Sequence, residues 1–213
     1  MRIALFGATG HVGRAILDET LARGHDVVAI VRDPARLDLR HDRLRVATGD
    51  VARPATWLDA VRGSDAAVAS LSARRDGDPD SLPANARILL EQLPQAGVRR
   101  LVWVGGAGSL ETAPGVRVID DPGFPAAWKP EAEAQGRALE AFRASTSPVD
   151  WTVVSPAALL EDGKRTGHYR LGGDQLLVDA EGNSRISVAD YAIALLDRVE
   201  KNDAPRRRIT VAY

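Results

Sequence analysis

The first thirteen residues place a short apolar segment directly before three evenly spaced glycines. Residues 3–6 read Ile-Ala-Leu-Phe, and Gly7, Gly10 and Gly13 follow at intervals of three, the last within an amphipathic helical pattern. A strand, a glycine-rich turn and a helix in this order bring bare backbone to a helix N-terminus, where a pyrophosphate binds. In such a site Gly7 permits the tight turn, Gly10 leaves room for the phosphates, and Gly13 lets the helix pack closely on its strand. The feature therefore predicts a dinucleotide-binding site.

Short β-branched segments alternate with helical patterns along most of the chain, which is typical of βαβ units. The pattern predicts an α/β fold, a doubly wound parallel sheet of the Rossmann type with about seven strands in the order 3-2-1-4-5-6-7. The predicted strands are 2–6, 26–31, 44–48, 66–71, 100–104, 151–154 and 208–211. The predicted helices are 11–23, 54–62, 81–96, 130–144 and 187–200.

Charge and composition exclude several classes of partner. The chain has 28 Lys and Arg against 29 Asp and Glu, and it has no cysteine. A balanced charge supplies no field for nucleic acid or an anionic membrane, and the lack of cysteine excludes disulfides and thiolate chemistry. No apolar segment approaches the ~18 residues that cross a bilayer, and the first strand begins at residue 2 or 3. We expect a cytoplasmic monomer or small homo-oligomer that acts on a small molecule.

Arg32 ends the second predicted strand, about 20 residues after the glycine turn. An acidic residue at this point accepts hydrogen bonds from the ribose of NAD, whereas an arginine pairs with the 2′-phosphate of NADP. Asp33 precedes Pro34 and is expected to start a turn instead of facing the ribose. The sequence therefore favours NADP(H) over NAD(H), with a solvated surface charge as the alternative role of Arg32.

Other predicted cofactor contacts lie in the turn or follow strand ends. Asp50 and Val51 follow the third strand, where a carboxylate can accept from the adenine amine and an apolar side chain can cover the ring; a simple turn is the alternative. The remaining predicted contacts are Thr9, His11, Val12, Leu71, Gly105, Lys129 and Pro156.

We expect one NAD(P)-binding domain over residues 1–213. Residues 157–186 depart from the βαβ pattern, and Gly172-Gly173 separates two apolar segments, which predicts a hairpin in a small C-terminal lid on the substrate side. The glycine-rich segments 72–80 and 105–128 follow strand ends and are candidate pocket rims, with plain surface loops as the alternative.

Four segments together resemble an atypical short-chain dehydrogenase/reductase: 7–13 (Gly-Ala-Thr-Gly-His-Val-Gly), 32–34 (Arg-Asp-Pro), 49–51 (Gly-Asp-Val) and 151–156 (Trp-Thr-Val-Val-Ser-Pro). More narrowly, the chain is similar to compact NAD(P)H-binding proteins grouped with flavin/biliverdin reductases and cofactor-sensing regulators. The likeness covers essentially the whole chain. It implies either a reductase that passes hydride from NADPH to a small flavin- or quinone-like acceptor, or a non-enzymatic NADP(H) sensor with a protein partner. A sugar-nucleotide isomerase or epimerase ranks last.

The chain departs from that family at the catalytic pair. Catalytic members carry Tyr-x-x-x-Lys on the helix after the fifth strand, and the lysine lowers the tyrosine pKa for proton donation. Here residues 128–136 read Trp-Lys-Pro-Glu-Ala-Glu-Ala-Gln-Gly, without a tyrosine, and Gln135 stands roughly where the lysine is expected. Ordinary alcohol and ketone chemistry is therefore disfavoured.

Three residues remain as catalytic candidates, each with a plain structural alternative. Ser109 is the hydroxyl nearest the fifth strand, and its alternative is a loop-ordering hydrogen bond. Lys129 could reach the nicotinamide ribose, and His168 could donate a proton from the lid; for both the alternative is a surface role. The four histidines show no metal-ligand spacing, so we expect no metal.

Overall fold

The computed structural model describes residues 1–75 and 77–213. The helices and strands in this part of the chain are, in order, β1 (Arg2–Phe6), α1 (His11–Ala22), β2 (Asp26–Val31), β3 (Leu44–Thr48), β4 (Ala66–Ala69), α2 (Ser81–Gln92), β5 (Arg100–Val104), β6 (Glu111–Ala113), β7 (Val116–Arg117), α3 (Lys129–Arg143), β8 (Asp150–Pro156), β9 (Leu159–Glu161), β10 (Arg170–Gly172), β11 (Arg185–Ser187), α4 (Val188–Lys201) and β12 (Arg207–Ala212).

The central sheet has the order β10-β12-β8-β5-β4-β1-β2-β3. Its strand pairs are parallel except at one edge, where β10 runs antiparallel to β12. The doubly wound α/β fold and the order of the seven predicted strands are confirmed. The predicted strand number is one short, because the three-residue β10 is too brief to carry an alternation pattern of its own.

Helices cover both faces of the sheet. Alternate residues of β1 show how the strand divides between them: Ile3 and Leu5 pack in the core under α1 and α4, whereas Ala4 and Phe6 pack under α2 and α3. A strand that is apolar on both faces is what a buried parallel sheet requires. The predicted cofactor residues after these strands lie at the carboxyl edge, where the connections leave the sheet.

The helix predicted over 54–62 is wrong. The chain forms one 3-10 turn, Pro54–Thr56, and then a series of turns. Trp57 explains the difference, because its fully buried ring packs edge-on against Phe6 with the centroids 5.1 Å apart. Its Nε1 donates to the Val51 carbonyl at 3.3 Å. This tertiary packing overrides the local helical pattern.

The hairpin predicted around Gly172-Gly173 is also wrong. Leu171 pairs with Val211 of β12 instead of with the segment that follows it. Asp174 accepts from Arg208 Nε at 2.7 Å and from Arg143 Nη2 at 2.9 Å, which holds the chain at the sheet edge, and residues 176–178 form no strand with 170–172. Elsewhere in segment 157–186, β9 and β11 form a small parallel pair.

Candidate cofactor site

The glycine turn packs so tightly that two of its glycines have no room for a side chain. A Cβ at Gly7, where φ is +87°, would lie 1.9 Å from the Ser70 carbonyl oxygen. A Cβ at Gly13 would lie 2.0 Å from the Gly7 carbonyl oxygen. A Cβ at Gly10 would meet only the Gly7 oxygen, at 3.4 Å. The protein's own packing therefore needs glycine at 7 and 13, and position 10 leaves backbone open to a ligand.

The N-terminus of α1 begins at that opening. Gly10 is its N-cap and supplies no side-chain cap, and no acidic residue lies in the first turn. Backbone N–H groups and the helix dipole at such a terminus favour an anion. His11 is exposed beside it, and its Nε2 lies 2.9 Å from Asp162 Oδ1 on the segment after β9. The turn and helix start thus fit a dinucleotide pyrophosphate.

A cavity of about 360 Å³ extends from the glycine turn along the ends of β1, β2, β3 and β4. Seven of the predicted cofactor residues line it: Gly7, Thr9, Gly10, Arg32, Asp50, Val51 and Leu71. Ser72 and Arg74, which lie in the predicted rim 72–80, also line it. Ser70, directly after β4, and Asn85 of α2 line it as well and were not singled out from the sequence. The end of β4 reaches the turn because β4 pairs with β1. Asp76, in the predicted rim 72–80, lies outside the described residues.

One end of this cavity is rich in guanidinium groups. Arg32, Arg36 and Arg74 all line it. Asp33 Oδ1 accepts from the Ala35 N–H at 3.0 Å and so caps the 3-10 turn Pro34–Arg36, as the turn interpretation predicts. The rim thus offers several positive groups, and the neighbouring carboxylate is engaged by backbone.

Asp50 and Val51, which follow β3, also line the cavity. The Asp50 carboxylate accepts from the Ala52 N–H at 3.1 Å and from Arg53 Nη2 at 3.3 Å. Val51 is buried and receives the hydrogen bond from Trp57. Asp50 therefore forms its own turn, which was its alternative role, and lines the cavity as well.

Gly105 and Pro156 lie at the ends of β5 and β8, on the same edge of the sheet. The Gly105 N–H donates to the Val154 carbonyl at 2.9 Å, and a Cβ at this position would lie 2.7 Å from Val153 Cγ1. A Cβ at Gly106 would lie 3.0 Å from Gln135 Cβ on α3. Small residues here let β8 and α3 close on the end of β5.

The three candidate catalytic residues do not meet at the glycine turn. Ser109 and Lys129 line a second cavity of about 820 Å³ beside α3, which shares no lining residue with the first. The Ser109 hydroxyl accepts from Arg208 Nη1 at 2.9 Å, which is the loop-ordering bond that was its alternative. His168 is exposed, and its backbone N–H donates to Thr166 Oγ1. The contacts of Ser109 and His168 are structural, and the catalytic roles of all three stay predictions.

Two polar residues of α3 that sequence reasoning left without a role join this helix to the segment after β4. Glu131 Oε2 accepts from the Ser72 hydroxyl and the Arg74 N–H, each at 3.1 Å. Gln135 accepts from Trp103 Nε1 at 3.0 Å and donates from Nε2 to the Leu71 carbonyl at 3.3 Å. The sequence contained a signal for this link, because a glutamine within the apolar stripe of a helix indicates a buried polar contact.

Within the described part of the chain, no group of three His, Cys, Asp or Glu side chains could hold a metal ion. None of its helices has both the length and the apolar character needed to cross a membrane. The expected cytoplasmic location stays a prediction.

Comparisons with known proteins agree with the geometry of the turn. The chain is 38% identical over 214 residues to the uncharacterised protein YwnB of Bacillus subtilis, covering 99% of this chain and 98% of YwnB. A crystal structure of a candidate exported protein from Burkholderia pseudomallei is 39% identical, with a TM-score of 0.90 over 100% of both chains. A Streptococcus pneumoniae protein named as a candidate NADH-flavin reductase is 35% identical, with a TM-score of 0.83 over 100% of this chain and 99% of that one.

The model of one protein family, described as NAD(P)H-binding, matches residues 7–198. The matched range begins at the first glycine of the turn, directly after β1, and includes α1, β2, β3 and β4. This match agrees with the resemblance to atypical short-chain dehydrogenases/reductases. The chain therefore belongs to the NAD(P)H-binding family.

Proposed function

We propose that this protein is an NADPH-dependent reductase of small planar acceptors of the flavin or quinone type. The observation that carries the proposal is the open backbone at Gly10, flanked by a cavity with Arg32, Arg36 and Arg74 on its rim. The turn and the N-terminus of α1 would hold the pyrophosphate. The bound cofactor would supply the hydride, and the protein would supply orientation.

The arginine rim supports NADPH as the preferred cofactor. A 2′-phosphate distinguishes NADPH from NADH, and guanidinium groups recognise phosphate through several charge-assisted hydrogen bonds. Arg32 comes from the end of β2, and Arg36 comes from the following turn that Asp33 caps. Both line the side of the cavity that would receive the adenosine ribose.

The tyrosines support an acceptor that needs no phenolic acid. Tyr191 is fully buried and donates to the Val154 carbonyl at 2.7 Å. Tyr213 donates to Asp190 at 2.7 Å. Burial and the hydrogen bond to Asp197 raise the pKa of Tyr169 to about 12. Each hydroxyl serves the fold, whereas a reduced flavin or quinone can take its proton from water.

An exposed aromatic pair supports a planar acceptor. Trp128 is 43% exposed immediately before α3, and its ring meets Phe124 edge-on with the centroids 6.5 Å apart. Glu131, three residues later on the same side of the helix, contacts Ser72 and Arg74 on the cavity rim. The pair therefore offers an aromatic surface at the start of the helix that carries Glu131.

The second candidate function is a non-enzymatic NADP(H) sensor, which the structural bonds of the tyrosines fit equally well. The test follows NADPH absorbance with purified protein, NADPH in large excess, and a panel of free flavins and soluble quinones. We expect many turnovers per protein molecule with at least one acceptor. Tight NADPH binding without turnover on any acceptor would contradict the reductase and favour the sensor.

A further inference from the structure

Glu131 and Gln135 lie where a second mononucleotide would bind. A doubly wound sheet binds a dinucleotide across the point where the strand order reverses, and each half of the sheet takes one nucleotide. In this sheet the reversal lies between β1 and β4; Arg32 and Arg36 belong to the β1–β2–β3 half, whereas Arg74 follows β4. The nicotinamide half therefore belongs to the ends of β4, β5 and β8.

The contacts of Gln135 connect these strand ends. It packs against Gly106 after β5, donates to the Leu71 carbonyl after β4, and accepts from the buried Trp103 indole. Gln135 Nε2 also lies 3.4 Å from Glu131 Oε1, one helical turn earlier. The glutamine is buried and carries no charge, so it fixes the carboxylate without neutralising it.

The groups that contact the Glu131 carboxylate are hydrogen-bond donors. The Ser72 hydroxyl and the Arg74 backbone N–H donate to Oε2, and the Gln135 amide donates to Oε1. Neutral donors fix the position of a negative charge and leave that charge able to act on a ligand. Glu131 is half-buried, so the surrounding water screens it only in part.

We propose that Glu131 is an electrostatic residue that makes the bound cofactor a stronger hydride donor, by stabilising its oxidised form. This inference rests on the proposed cofactor site. The nicotinamide ring carries a positive charge in NADP⁺ and none in NADPH. A fixed carboxylate in the nicotinamide half therefore favours NADP⁺ over NADPH, which lowers the reduction potential of the bound couple.

The ratio of two dissociation constants tests this role and needs no turnover. NADP⁺ and NADPH are titrated separately into the wild-type protein and into Glu131→Gln. We expect the ratio of the NADP⁺ constant to the NADPH constant to rise by about threefold or more in the variant. A residue that merely ordered segment 71–74 would change both constants by the same factor, and the ratio would not move.

One further variant serves as the control. Glu133→Gln removes the same charge from α3, but Glu133 lines the second cavity beside that helix. We expect the ratio to stay at its wild-type value in this variant. If Glu131→Gln does not unfold cooperatively, Glu131→Ala removes the same charge and takes its place.

An unchanged ratio in Glu131→Gln, with both cofactors still bound, would overturn the role of Glu131 and leave the proposed reductase intact. A fall in the ratio would overturn it in the same way. Failure of the wild-type protein to bind either form would overturn the proposed function itself, and the inference with it.

Discussion

Replacing single glycines of the turn by alanine distinguishes the position that folding requires from the position that cofactor binding requires. At Gly13 the new Cβ would lie 2.0 Å from a backbone oxygen, whereas ordinary contact begins at 3.4 Å, so the backbone must move by about 1.4 Å. Overpacking of this kind costs about 3 kcal/mol. We expect Gly13→Ala to lower the free energy of unfolding by that amount or more, and to weaken cofactor binding as a consequence.

At Gly10 the same methyl group meets a single atom at 3.4 Å, and φ is −84°, which alanine adopts without strain. We expect Gly10→Ala to change the free energy of unfolding by less than about 1 kcal/mol, since the loss at the N-cap is offset in the unfolded chain. The methyl would occupy the space that the phosphates need. We therefore expect at least about a tenfold loss of NADPH affinity, equivalent to about 1.4 kcal/mol.

Urea unfolding followed by tryptophan fluorescence measures the stability of both variants, and calorimetric titration with NADPH measures binding. A Gly10→Ala variant that binds NADPH like the wild type would show that position 10 does not face the phosphates. A variant that loses as much stability as Gly13→Ala would show that position 10 serves the fold and not the ligand.

Two further predictions concern the packing around the site. Burial would raise the pKa of Asp190, but hydrogen bonds from Tyr213, Thr166 and the Gly167 N–H outweigh it and hold that pKa below its ordinary value. Asp190 therefore stabilises the fold above the pKa of an unfolded aspartate, and this contribution is lost as the pH falls through the lower folded-state pKa. We expect Asp190→Asn to lower the free energy of unfolding by about 3 kcal/mol at pH 7 and by much less near pH 3. Urea titrations at the two pH values measure the difference. An equal loss of stability at the two pH values would contradict the role of the Asp190 charge. Trp57→Phe removes the pyrrole part of the buried indole and its hydrogen bond to the Val51 carbonyl, so we expect a loss of about 2 kcal/mol in the same assay. An unchanged midpoint would argue against a packing role.

The fold was predictable because its signals are local. The apolar strands of a parallel sheet, the close approach of Gly13 to Gly7, and the right-handed crossovers of βαβ units leave little choice of strand order. The turn at Asp33 was also predictable from local sequence, because an aspartate before a proline favours a turn in which its side chain accepts a backbone hydrogen bond. These features depend on neighbours within a few residues of each other.

The parts that could not be predicted depend on distant contacts. The segment around Trp57 does not form the predicted helix, because the Trp57 ring packs against the buried Phe6. The link from Arg74 to Glu131 spans 57 residues, and the one from Arg208 to Ser109 spans 99, so no local pattern reports either. Ser109 and its donor Arg208 both line the second cavity, so the surroundings of this serine depend on a distant part of the chain.

We infer an NADP(H) site whose specificity depends on Arg32. The most direct measurement compares the affinities of NADPH and NADH for the wild-type protein, for Arg32→Ala, and for Arg40→Ala as a matched control that does not line the cavity. We predict that the wild type prefers NADPH by about tenfold or more, that Arg32→Ala loses most of this preference, and that Arg40→Ala keeps it. Equal binding of the two cofactors, before and after the change at Arg32, would contradict the account.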